Sequence, residues 1–118
     1  MATPTRPAPG EPKPIPGATL SLFAVALVEL RKDLRQLIDS RWNEAVRRRA
    51  EELSSTLGQA CHRMGLVGLQ PFLRSLTNLT RVPRADALLL LPALREKFDV
   101  LGRELEARLP RRSRQIRG

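Results

Sequence analysis

Few side chains in this sequence are of a type that does chemistry. Cys61 and His62 are the sole cysteine and the sole histidine. Adjacent residues on a helix point about 100° apart, so these two do not form a thiolate–imidazole pair. Cys61 reads instead as a small apolar filler of a core. Glu51 and Glu52 are adjacent too, and do not face each other as acid and base. One His and one Cys fall short of four metal ligands, and no carboxylate cluster completes the set, so no metal is expected. No Gly-x-x-x-x-Gly-Lys-Ser/Thr loop and no Gly-x-Gly-x-x-Gly is present to cradle phosphates. The chain is therefore expected to be no enzyme, with no catalytic residues and no cofactor.

His62 keeps one chemical possibility open. On a helical projection it lies about 180° from Leu53, on the side of Glu51 and Ser55. An exposed imidazole is a candidate phosphoacceptor, because a nitrogen nucleophile needs access more than burial. It is equally what an ordinary solvated helix end carries.

The elements that would position this row are helices. The chain has 118 residues, the length of one domain, and is rich in Leu, Ala, Arg and Glu. No stretch alternates with the period of two that a half-buried strand needs. Residues 1–17 hold six of the ten prolines and are expected to form a disordered tail. A first helix is expected from Ala18 to Ile38, with Leu20, Phe23, Leu27, Leu30, Leu34 and Leu37 in one stripe. Its first half is apolar nearly all round, through Leu22, Val25 and Val28. That surface needs cover, from the tail, another helix, a partner or a homodimer seam.

Asp39 and Ser40 offer an N-cap for a second helix from Arg41 to Met64. Trp42, Val46, Ala50, Leu53, Leu57, Cys61 and Met64 make its apolar face, and Gly65 its stop. Pro71 suits the start of a third helix ending at Thr80. A fourth is expected from Arg84 to Leu109, with Ala87, Leu91, Leu94, Phe98, Leu101 and Leu105 in phase. Pro92 falls inside it, and the unbroken phase favours a kink over a split. Residues 18–109 thus predict an all-α, antiparallel four-helix bundle. Residues 110–118 form a basic tail with Arg111, Arg112, Arg114 and Arg117.

The second helix and the two helices after it carry a resemblance. The run Arg41-Trp42-Asn43-Glu44-Ala45-Val46-Arg47-Arg48-Arg49-Ala50-Glu51-Glu52-Leu53 precedes Met64-Gly65-Leu66, then Leu73-x-x-Leu76 and Leu94-x-x-x-Phe98-x-x-Leu101-x-x-x-Leu105. Over residues 20–109 this resembles the histidine-phosphotransfer (HPt) domain family. Those domains are four-helix bundles with an exposed His in a motif close to Ala-His-x-Leu-Lys-Gly-Ser. Aligned from Trp42, the family's His falls on Glu51 and its Lys-Gly on Ser54-Ser55. Aligned back from Gly65, the His falls on Ser55 and the Lys-Gly on Gly58-Gln59. Tried directly as the acceptor, His62 has Gly65 in place of the Lys.

The resemblance implies a degenerate HPt-like module of bacterial two-component signalling, keeping the docking helices without the motif. It would bind a receiver or histidine kinase domain through Glu51, Ser55, Gly58, Gln59 and His62. Active phosphotransfer through His62 is one alternative reading. Nucleic-acid binding is another, with Arg47, Arg48, Arg49 and the basic tail neutralising phosphates. The longest apolar stretch, Ala18–Val28, is about half the roughly 20 residues that span a bilayer, so no membrane span and a cytoplasmic location are expected.

Overall fold

The computed structural model describes residues 17–109. The proline-rich segment before Gly17 and the basic tail from Pro110 lie outside the described residues. Within them the fold is all-helical, as expected, with no strand. Five helices follow one another: α1 Gly17–Asp39, α2 Glu44–Met64, α3 Gln70–Thr80, α4 Arg84–Leu89 and α5 Leu91–Arg108. α1 packs on α2 and α5, α2 on α3, and α3 on α5, while α4 touches the start of α5.

One apolar core runs between these helices. It takes Phe23, Leu27, Leu30, Leu34 and Leu37 from α1, and Val46, Ala50, Leu57 and Cys61 from α2. Leu73 and Leu76 come from α3, and Leu94, Phe98 and Leu105 from α5. These are the stripes that the three-to-four spacing marks.

The turn between α1 and α2 differs from expectation. Arg41 and Trp42 both adopt left-handed backbone, with φ of 59° and 64°. The Trp42 amide donates to the Leu37 carbonyl at 2.8 Å, closing α1 in the manner of a Schellman motif. α2 therefore starts three residues later than Arg41. Its cap is Asn43, whose side-chain oxygen accepts from the Ala45 and Val46 amides at 2.9 and 3.2 Å. Ser40 caps nothing: its hydroxyl donates to the Leu37 carbonyl and accepts from the Asn43 amide, bracing the turn. Left-handed backbone costs a non-glycine residue about 1–2 kcal/mol. Here it lets Trp42 turn inward, fully buried, with Nε1 donating to the Val82 carbonyl at 3.0 Å.

The expected kink at Pro92 is a break. α4 stops at Leu89, Leu90 leaves helical backbone with φ −117° and ψ 15°, and Pro92 sits in the first turn of α5. Proline lacks an N–H and its ring collides with the carbonyl four residues back, so it belongs in a first turn. The apolar phase survives because Ala87, in α4, and Leu94, in α5, are both buried.

α1 and α5 run antiparallel. Arg31 lies against Gly102 and pairs with Glu106 at 2.8 Å, while Ile38 and Asp39 line a small cleft with Arg95 and Phe98. A methyl group on Gly102 would stand 2.7 Å from Arg31 Nε, so the missing side chain is what lets the guanidinium cross α5.

Candidate functional site

The row expected on the wet side of α2 meets three different surroundings. Near the start, Glu51 is half-buried and held from both sides. Arg47 Nη1 donates to one carboxylate oxygen at 2.9 Å and Arg81 Nε to the other at 2.7 Å. Arg81 is the residue that ends α3, so Glu51 ties α2 to that end. The hydrogen bond from Arg81, then that from Arg47, holds the Glu51 carboxyl below its ordinary range. Arg47 also donates to Glu44 and to the Thr80 carbonyl. The hydrogen bonds to Glu44 first, then to Glu51, lock its charge in further against a partial opposing effect of burial.

In mid-helix, Ser55 and Gly58 are half-buried and Gln59 is exposed. With Gln70, Arg74 and Asn78 of α3 they line a shallow polar cleft between α2 and α3. These helices run antiparallel here, since Glu51 meets Arg81, Ser54 meets Thr77, and Gly58 faces Leu73. A methyl group on Gly58 would lie 3.9 Å from Leu73 Cβ, an ordinary contact, so α2–α3 packing does not require glycine there.

At the far end, His62 is exposed in the last turn of α2. No side chain among the described residues bonds to its imidazole. Glu51 stands 11 positions earlier, about three turns or roughly 16 Å along the axis, so no carboxylate orients the ring. Gly65 closes the helix in left-handed backbone at φ 76°.

Sequence reasoning missed the hydroxyl network beneath this face. Ser54, Thr77 and Thr80 are buried. The Ser54 and Thr77 hydroxyls are 2.8 Å apart, and Thr80 donates to the Thr77 carbonyl at 2.6 Å. Carbonyls of Glu51 and Leu73 complete the network. The signal was present: Ser54 follows Ala50 by four and precedes Leu57 by three, inside the apolar stripe.

The other chemical candidates fall into place. Cys61 is buried, and burial pushes its thiol up to about 11, so it stays a neutral filler. No group of three His, Cys, Asp or Glu able to hold a metal occurs among the described residues. The Arg47–Arg49 run is spoken for internally: Arg47 by Glu44 and Glu51, Arg48 by Glu44, Arg49 by Asp33 and Gln36. By contrast, the chain has no carboxylate from Leu53 to Ala85. The second half of α2 and the whole of α3 thus present no acidic group of their own.

Compared with protein-family models, with curated proteins and with solved structures, the chain matches none.

Proposed function

We propose that this chain is a signalling interaction module of HPt-like architecture, docking on a receiver or histidine kinase domain without phosphoryl chemistry of its own. In this reading α1, α2, α3 and α5 form the four-helix bundle, and α4 is a connector. The observation that carries the proposal is the α2–α3 face. Ser55, Gly58, Gln59, Arg74 and Asn78 line its cleft without a carboxylate among them, backed by the Glu51 brace and the Ser54–Thr77 bond, and His62 is exposed further along α2. Such a face suits an acidic protein surface, since complementary charge steers encounter and fixes register. The missing acid–base partner for His62 favours docking over transfer.

The test is a calorimetric titration against a panel of bacterial receiver and kinase domains. At least one is expected to bind in the micromolar range. Gly58→Arg is expected to weaken that binding roughly tenfold or more by filling the cleft, with helicity retained. Absence of binding across the panel, or equal binding by the Gly58→Arg chain, contradicts the proposal.

A further inference from the structure

We propose that the cleft between α2 and α3 is a binding site for a phosphate group, held by Arg74 with Ser55, Gln59, Gln70 and Asn78. This goes beyond the docking reading, since the cleft takes such a group whether or not a protein carries it. Ser55 and Gln59 stand about one turn apart on α2, and Gln70, Arg74 and Asn78 at successive turns of α3. The antiparallel register of Ser54 with Thr77 and of Gly58 with Leu73 brings the two rows to one cleft, which all five residues line. Gly58 lies between the two α2 residues and adds no side chain to fill it.

The hydrogen-bonding capacity of this lining is unspent. Among the described residues, none of the five side chains has a hydrogen-bond or ion-pair partner. The arginines of the first half of α2 are all paired, and Arg81 is engaged with Glu51. Arg74 is thus the cation of the cleft without a counter-charge among the described residues. Beneath it Ser54 and Thr77 are buried and bonded to each other at 2.8 Å. Their remaining bonds go to the Glu51 and Leu73 carbonyls, so the floor is satisfied and fixed.

The donors select the ligand. The five side chains offer a guanidinium fork, three amides and a hydroxyl, and no carboxylate lines the cleft. A guanidinium meets a phosphate through two parallel N–H bonds. A phosphate ester also presents a third strong acceptor oxygen, which a carboxylate lacks, for the amides and the hydroxyl. No His, Cys, Asp or Glu lines the cleft, so the group is held and not transferred.

The test is a heteronuclear NMR titration of the full chain, at constant ionic strength, with inorganic phosphate and with a short phosphoserine peptide. Inorganic phosphate is expected to saturate at about millimolar affinity, with shifts at Ser55, Gln59, Arg74 and Asn78. A phosphopeptide that binds more tightly than phosphate assigns the group to a protein, and the reverse order assigns it to a small free ester. Arg74→Gln should lose roughly tenfold or more in affinity, whereas Arg103→Gln, at an exposed position on α5, should bind as the parent does. Circular dichroism checks that both variants keep their helicity. Three outcomes overturn the inference: no saturable shifts at the cleft with either probe, parental binding by Arg74→Gln, or equal losses in the two variants. Receiver binding in phosphate-free buffer with the cleft silent to both probes would sink this proposal and leave docking standing. Saturable phosphate shifts with no receiver bound would do the reverse.

Discussion

Trp42 lies flat against Phe98, their ring centroids 6.2 Å apart and their planes within 7°. This contact joins the α1–α2 turn to α5. It exists because Arg41 and Trp42 take left-handed backbone and send the indole inward. The indole N–H also holds the Val82 carbonyl, fixing the turn before α4. One side chain thus braces three segments far apart in sequence.

Replacing Trp42 with Ala should therefore cost about 3–5 kcal/mol, as for other large buried aromatics. Trp42→Phe keeps a stacking ring but leaves the Val82 carbonyl without its donor, at about 1–2 kcal/mol. Urea unfolding followed by far-ultraviolet circular dichroism measures both. A loss under about 1 kcal/mol for Trp42→Ala would show the stack to be dispensable.

The buried Ser54–Thr77 pair is suited to a double-mutant cycle. Ser54→Ala alone leaves the Thr77 hydroxyl only the Leu73 carbonyl, and Thr77→Val leaves Ser54 only that of Glu51. Each single change should destabilise by about 1 kcal/mol, and the double by less than the sum of the two. Strict additivity would mean the 2.8 Å contact contributes nothing.

Glu51 gives a dependence on pH. Its folded-state carboxyl titrates below its unfolded value, so the ionised brace stabilises the fold above the unfolded pKa. That contribution falls away as pH drops through the folded value. Glu51→Gln should lower stability by about 1 kcal/mol or less at neutral pH, since the pair is partly exposed and screened by solvent. The gap to the parent chain should close in acid. A gap that persists in acid strong enough to protonate Glu51 in both states contradicts the assignment.

Gly102 and Arg31 can be tested as a pair. In a helix, Gly→Ala gains about 1 kcal/mol from propensity. In the parent chain that gain is offset, because the new methyl displaces the Arg31 guanidinium and its pairing with Glu106. In an Arg31→Ala background, Gly102→Ala should stabilise outright. Equal effects in both backgrounds would show that Arg31 does not constrain the site.

The all-helical fold was legible because its signal is the spacing of leucines, which survives any error about the ends. α1, α2 and α3 fall within a few residues of expectation. The misreadings have one cause: apolar phase says nothing about backbone direction. Ala87, Leu94 and Phe98 keep phase across Leu90 although the helix breaks there. Asp39 and Ser40 have the composition of a cap, yet the left-handed pair Arg41–Trp42 hands that role to Asn43. On the face itself, the projection set Glu51, Ser55 and His62 on one side of α2, where Glu51 and Ser55 are half-buried and His62 is exposed. It could not tell that Arg81 would reach Glu51 from 30 positions away. Long-range ion pairs and hydroxyl contacts depend on which helices become neighbours, and a single-helix projection lacks that information.

If the α2–α3 face docks on a signalling domain, and His62 takes no part in transfer, the footprint of the partner must fall on that face. A heteronuclear NMR titration with a phosphorylated receiver domain that binds this chain tests this most directly. Amide shifts are expected to concentrate at Ser55, Gly58, Gln59, His62 and Arg74, with the His62 ring unlabelled by phosphorus. Shifts elsewhere with this face silent, or an acid-labile phosphoryl group on His62 that His62→Gln abolishes, would contradict it.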